Sequence, residues 1–279
     1  MSIFIPWNLA DERLLRFLQL YSSQFDGAPN LFLTTQWRAG IRKVLDNGTT
    51  DLPRLLVEGY QLDQMIGCWP QIFLDLQNLK EPVYPVQELS TDAGRLDKAF
   101  SMRGQIETFF STVHSRYTMY KTEVIQAGQI TEWPDPTSII GTRYDFCDVG
   151  VAQMYIMYLT VLITFNRILH ELSLIIGVPS MTLDAENRVL SREVWMCLKY
   201  FQGIGPIAAI LFSWVMTLAM EAGNDMERRC VLETMLDLDK YKQRLPKNME
   251  ELEEIVMSVG RVHMGRATMG DLQRFSLRV

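Results

Sequence analysis

The chain has 279 residues and a formal net charge of −6, with 48% hydrophobic and 22% charged residues. This composition is typical of a globular protein and excludes a disordered one, and the length suffices for one large domain or two small ones. No block of Lys and Arg is present to neutralise phosphates, so we do not expect this chain alone to bind nucleic acid.

Helical signals recur through the first half of the chain. Asn8 is suited to cap a helix, because Asp11 complements the N-terminal dipole and apolar residues follow at helical spacing. Asn47-Gly48 is a good C-terminal stop for a second helix. The predicted elements are the helix after Asn8, a helix over 31–45, one or two helices over 52–79, a connection over 80–91 and a long helix over 93–126.

A proline-containing loop separates this half from the next. Trp133-Pro134-Asp135-Pro136 is incompatible with a helix interior, because proline lacks the amide donor and restricts the residue before it. Residues 1–127 are therefore predicted to form a first helical layer, 128–145 a loop and 146–279 a second layer of one all-α domain over 1–279.

Four helices are predicted after the loop, over 146–176, 189–202, 205–222 and 225–244. A further helix is predicted to begin at Asn248, because Asn248 and Glu251 have the spacing of a capping box. No segment with period-2 patterning and hairpin turn residues stands out. The predicted fold class is all-α, a multi-helix globular bundle with an apolar pocket.

The cysteines and the N-terminus bear on the compartment. Four cysteines lie far apart without metal-ligand spacing, which favours a reducing intracellular location, cytoplasmic or nuclear. The N-terminus lacks the pattern of a secretory signal. Two uncharged stretches, 149–166 and 200–220, are long enough to raise the question of a membrane. Their polar residues and the absence of flanking basic clusters favour buried core helices instead.

Familiar catalytic motifs do not fit. Residues 203–208 match Gly-x-Gly-x-x-Ala, but they follow a helical pattern rather than a strand, so a tight helix–helix corner explains them better than a dinucleotide site. The three histidines have no ligand partner at i+4, and the acidic clusters are read as exposed helix termini. We therefore predict no metal and no cofactor.

The helix predicted from Asp148 to Glu171 carries polar residues on two sides. One side, taken as the outer face, holds Gln153, Met157, Thr160, Thr164, Arg167 and Glu171. The opposite, inward side interleaves aliphatic residues with Asp148, Tyr155, Tyr158, Asn166 and His170. These inward polar groups either pair with one another across the bundle or line a ligand pocket. Trp195, Lys199 and Trp214 are the expected companions from the next two helices.

A second candidate lies just before this helix. Arg143, Tyr144 and Asp145 are predicted to lie together at a loop-to-helix junction. Asp145 and His170 are then the candidate catalytic acid and base, whereas an exposed ion pair at a helix start is the simpler interpretation.

The C-terminal half resembles the regulatory region of fungal binuclear zinc-cluster transcription factors. The residues that carry the resemblance are Arg192-Glu-Val-Trp-Met-Cys-Leu-Lys-Tyr200, Gly203-Ile-Gly205, the apolar residues 207–220 and Glu227-Arg-Arg-Cys-Val-Leu232, with a weaker echo at Trp37–Leu45. The cysteine-rich zinc cluster and its basic linker are absent from this sequence, so the family's DNA contact is not carried over. The resemblance implies an all-α effector region.

Two functions are consistent with these observations. In the first, the fold binds a small apolar metabolite of fungal specialised metabolism, as a binding protein or as a cofactor-free cyclase or isomerase that holds one conformer of its substrate. In the second, it is a regulator-like protein without DNA binding that acts through a protein partner or as a homo-oligomer.

Overall fold

The computed structural model describes residues 89–116, 120–124, 141–146, 149–177, 180–203, 212, 215–239 and 245–263, together with positions 39 and 61. The chain divides into two compact units, Met1–Glu88 and Leu89–Val279. The predicted layer boundary at 128–145 therefore falls inside the second unit. The predicted helices after Asn8 and over 31–45 and 52–79 lie outside the described residues.

Helices account for most of the described part of the second unit, which confirms the all-α class. They are α1 (Leu89–Arg116), α2 (Val149–Ile176), α3 (Thr182–Met196), α4 (Leu198–Gly203), α5 (Asp225–Asp239) and α6 (Met249–His263). Residues 212 and 215–220 are also helical. The prediction placed the start of α3 at residue 189, seven residues too late, because Asp184 in its first turn already complements the helix dipole.

A two-stranded antiparallel sheet interrupts the helices, in contrast to the prediction. Strand β1 (Tyr120–Val124) pairs with β2 (Thr142–Phe146), with Tyr120 opposite Phe146 and Val124 opposite Thr142. The prediction of one helix over 93–126 is therefore wrong at Tyr120–Val124. Side chains alternate between the two faces of a strand, which explains why Tyr144 and Phe146 are buried while Asp145 between them is exposed.

Capping side chains fix the starts of α5 and α6. The Asn224 side-chain oxygen accepts from the Glu227 amide at 3.0 Å, and Glu227 in turn accepts from the Asn224 amide at 2.8 Å, a reciprocal capping box. The Asn248 side-chain oxygen accepts from the amides of Glu250 and Glu251. The predicted cap at Asn248 is thus confirmed.

Helix α2 is the centre of the second unit and packs mainly against α1 and α3. Its segment Val151–Ile175 is the one helix among the described residues that is long and apolar enough to cross a membrane, and 83% of its most apolar window is buried inside the protein. A helix that is apolar on all sides is expected at the core of a large soluble protein as well as in a membrane. Its burial agrees with the predicted core helix.

The outer face assigned to α2 is wrong. Thr160, Thr164 and Arg167 are all buried, because neighbouring elements cover this side as well. The Thr160 hydroxyl donates to the Ile156 carbonyl at 2.7 Å, and the Thr164 hydroxyl donates to the Thr160 carbonyl at 2.9 Å. These bonds within the helix allow two hydroxyls to be buried without partners from other elements.

Candidate functional site

Two phenols converge on one carboxylate where β2, α2 and α3 meet. The hydroxyls of Tyr144 on β2 and Tyr155 on α2 both donate to Oε2 of Glu193 on α3, at 2.5 and 2.6 Å. Both tyrosines are buried and Glu193 is partly buried. Hydrogen bonds to a charged acceptor are roughly twice as strong as neutral ones. This cluster therefore fastens the sheet to the two helices.

Aromatic rings fill the space around Tyr155 and Tyr158. Tyr158 stacks on Phe110 of α1 with 3.6 Å between ring centroids. Tyr155 has the rings of Phe110, Tyr144 and Phe146 within 6.0 Å, centroid to centroid. The two predicted pocket residues therefore face the interior and pack against other side chains. Their assignment to a ligand pocket stays a prediction.

Asn166 lies at a polar junction of α1, α2 and α3. Its side-chain nitrogen donates to Oε2 of Glu186 at 3.4 Å, and Arg103 on α1 donates to the same oxygen. Asn166 is completely buried, and no hydrogen-bond partner for its Oδ1 is found in the part of the chain that the structure describes. The residue thus lies inward as predicted, with one hydrogen bond donated by its amide nitrogen.

A row of buried polar groups without partners follows on α3. Asn187, Ser191 and Trp195 are each at most 1% exposed and are spaced at i, i+4 and i+8, so they lie along one face of the helix. Among the described residues, no hydrogen-bond partner is found for Nδ2 and Oδ1 of Asn187, Oγ of Ser191 or Nε1 of Trp195. We call these three residues the polar stripe.

Arg188 borders the polar stripe and links α3 to α5. Its guanidinium binds both carboxylate oxygens of Glu227, donates to the Ala222 carbonyl at 2.7 Å and lies 5.1 Å from the Trp195 ring centroid. Partial burial alone would raise the pKa of Glu227. Hydrogen bonds from Arg188 and the Asn224 amide, with the charges of Arg188 and Arg192, lower it below the ordinary value.

His170 belongs to a different cluster, near the C-terminal end of α2. Its Nε2 lies 3.5 Å from Asp184 and its Nδ1 3.9 Å from Glu171. Arg167 shares Asp184, with a nitrogen–oxygen distance of 2.8 Å. The imidazole therefore lies beside the Arg167–Asp184 ion pair that joins α2 to the first turn of α3.

The structure does not bring Asp145 and His170 together. Asp145 is an exposed strand residue paired with Lys121, not a residue at a loop-to-helix junction. Its neighbour Tyr144 packs on Tyr155, which precedes His170 by fifteen residues, or about 22 Å along the helix at 1.5 Å per residue. A shared acid–base role for this pair is therefore excluded by distance.

The remaining predicted site residues separate. Trp195 is buried as expected, whereas Lys199 on α4 is exposed and does not accompany it. Cys197 lies between the end of α3 and the start of α4, two residues before Lys199. Trp214 and Asp148 lie outside the described residues. The residues that carry the resemblance at 192–200 thus form two helices rather than one.

Sequence reasoning missed three of the residues that the structure singles out. Glu193 is an isolated acid in an amphipathic helix, and nothing in its neighbours predicts two phenol partners. Asn187 and Ser191 could have been found, because they share the i, i+4 spacing of Trp195 and continue its apolar face toward the N-terminus. Polar residues on the apolar face of α3 indicate a candidate site by the same argument as the inward polar residues of α2.

Three comparisons were made with known proteins. No protein-family model, no curated protein and no solved structure matches the chain. Among the described residues, no group of three or more His, Cys, Asp or Glu is placed to hold a metal ion.

Proposed function

We propose that this chain binds a small, mostly apolar metabolite inside its second unit, against the polar stripe of α3. The observation that carries the proposal is the burial of Asn187, Ser191 and Trp195 without hydrogen-bond partners among the described residues. A ligand that paired with these groups while filling apolar surroundings would match the usual character of small-molecule sites.

The energetic argument concerns the cost of these groups. A buried polar group left without a partner costs about 1–3 kcal/mol. Stabilities of whole domains are only about 5–15 kcal/mol, so three such groups in one row are a heavy burden for a purely structural helix. An apolar residue at each position would remove this cost, and retention of the polar groups supports a binding role.

Catalysis would be a further step of the same proposal. A cofactor-free cyclase or isomerase of specialised metabolism needs a site that holds one conformer of its substrate beside a proton donor or acceptor. Glu193 is not that group, because it lies two residues after Ser191 and therefore on the opposite face of α3 from the polar stripe, where it accepts from Tyr144 and Tyr155.

The test is a thermal-shift screen of neutral, mostly apolar metabolites on the full-length chain. A ligand should raise the melting temperature of the wild type and lose this effect in Asn187→Leu, which keeps the side-chain size but removes the amide. Thr234→Val is the matched control, because the buried Thr234 hydroxyl already donates to the Cys230 carbonyl at 2.9 Å on another helix. Hits that are indifferent to Asn187→Leu, or a screen without hits, would count against the proposal.

A protein partner remains the second candidate, and one observation favours it. Leu174 and Ile175 at the end of α2 are 49% and 39% exposed, and Met181 just before α3 is 86% exposed. Exposed apolar residues close together in sequence at one turn are a feature of protein-interaction sites. If the second candidate is correct, the metabolite screen of the wild type should give no hits. The wild type should form a complex with its protein partner, and Met181→Ser should abolish that complex.

A further inference from the structure

The hydrogen-bonding inventory of the polar stripe restricts the chemistry of its ligand. The Trp195 indole nitrogen can only donate, the Ser191 hydroxyl can donate or accept, and the Asn187 carboxamide offers both a donor and an acceptor. All of these atoms are buried and unpartnered among the described residues. The ligand must therefore present an acceptor oxygen to Trp195 and a neighbouring donor and acceptor to Asn187.

The charges around the stripe are already neutralised. Arg188 is bound by both oxygens of Glu227, and Glu186 is bound by Arg103. Asp184, one turn before Asn187, forms an ion pair with Arg167. The three stripe side chains are themselves neutral. A charged group brought to the stripe would find no spare counter-charge among these described side chains and would be buried at a cost of several kcal/mol, so we expect the ligand to be uncharged.

The spacing along the helix sets the length of the ligand. Residues four apart on one face are separated by about 6 Å along the axis, so Asn187 and Trp195 are about 12 Å apart. A compact molecule with one polar group could satisfy a single position only. An elongated skeleton with oxygen atoms near both ends could satisfy all three.

On these grounds, and resting on the proposed function, we infer that the stripe binds a neutral, elongated, oxygen-bearing carbon skeleton with a ketone or similar carbonyl oxygen on the Trp195 indole nitrogen. The other end carries a donor beside an acceptor, as in a lactam or an enolised dicarbonyl, and pairs with the Asn187 carboxamide. Carboxylates, phosphates and amines are disfavoured, because the described charges at Asp184, Glu186 and Arg188 beside the stripe already have partners.

The experiment reads the Trp195 indole directly. The chain is labelled with 15N, and the Trp195 Nε1–H cross-peak is identified by its loss in Trp195→Phe. If that variant does not fold, Arg188→Lys identifies the peak instead, because it changes the cation beside this ring. The probes are cyclohexanone, methylcyclohexane and cyclohexanecarboxylate, with 2-pyrrolidinone as the lactam for Asn187. The neutral probes are compared at equal fractions of their aqueous solubility.

The inference expects a saturable downfield shift of the Trp195 indole proton with cyclohexanone, because the carbonyl accepts its hydrogen bond. Methylcyclohexane should give no downfield shift, and cyclohexanecarboxylate should bind at least tenfold more weakly than the ketone. 2-Pyrrolidinone should move the Asn187 side-chain amide in the wild type, and it should raise the melting temperature of the wild type and of Thr234→Val but not that of Asn187→Leu.

The outcomes separate the ligand class from the proposed function. If the ketone and the hydrocarbon both raise the melting temperature but neither moves the Trp195 cross-peak downfield, small-molecule binding stands and the ligand class is wrong. If the carboxylate binds as well as the ketone, the neutral class is overturned. If no probe and no member of the metabolite screen binds, both proposals fail, and the stripe is a site for internal water.

Discussion

Replacement of Ser191 by alanine should stabilise the ligand-free protein. The Ser191 hydroxyl is completely buried and without a partner among the described residues, so the folded state bears its desolvation cost of about 1–3 kcal/mol. Alanine removes this cost and leaves a void of one oxygen atom, which returns part of the gain as lost contacts. We expect a net gain of about 1 kcal/mol in the free energy of unfolding.

The measurement is urea unfolding of the full-length chain, followed by thermal melting. A gain of 1 kcal/mol corresponds to about 2–4 °C in melting temperature for a unit of this size. Thr234→Val is the control of opposite sign, because its hydroxyl donates to the Cys230 carbonyl and its loss should cost about 1 kcal/mol.

The sign of the Ser191→Ala effect decides the argument. A loss of stability as large as that of Thr234→Val would mean that the Ser191 hydroxyl is already paired, with internal water as the partner. The stripe would then be a satisfied network, and the case for a ligand would be refuted. A ligand that binds the stripe should stabilise Ser191→Ala less than the wild type, which reverses the order of the two proteins when ligand is added.

Three further predictions concern titratable groups. The lowered pKa of Glu227 contributes stability that is present above about pH 4.3, the ordinary value, and is lost as the pH falls through the folded-state value. Glu227→Gln should therefore reduce the dependence of the free energy of unfolding on pH in the acid range. An unchanged dependence would contradict the assignment. Burial, with the charge of Glu193, raises the pKa of the Cys197 thiol well above 9.0, so peptide mapping should find Cys197 unmodified by a thiol reagent at pH 8 until the protein unfolds. Glu193→Gln should lower the free energy of unfolding by about 1–3 kcal/mol, since two phenols lose a charged acceptor. Near-ultraviolet circular dichroism should report changed packing of Tyr144 and Tyr155. An unaltered spectrum together with unaltered stability would argue against the cluster.

Much of the helical architecture follows from local signals in the sequence. The cap at Asn248 and the core helix near 146–176 were predictable because capping and apolar length act within a few residues. The sheet was not predictable on the same grounds. Tyr120 pairs with Phe146 across a connection far longer than a hairpin turn, and residues 120–124 continue the apolar spacing of α1 closely enough to pass for helix.

The candidate site shows where local reasoning ends. Helical periodicity placed Tyr155 and Asn166 inward, and both are buried. The same periodicity assigned Thr160 and Arg167 to solvent, because the spacing of residues along one helix does not show whether other elements cover its opposite side. Whether a buried amide finds a partner depends on side chains from other elements, so the unpaired groups of Asn166 and Asn187 could be recognised only in three dimensions.

The threonine pair of α2 has a consequence for how this protein can vary. Because Thr160 and Thr164 direct their hydroxyls to carbonyls of their own helix, they present only methyl groups to the elements that surround them. Valine has the same shape and would make the same outward contacts. Exchange of threonine for valine at either position should therefore keep the packing of the unit's centre and cost only the hydrogen bond within the helix, about 1 kcal/mol as at Thr234.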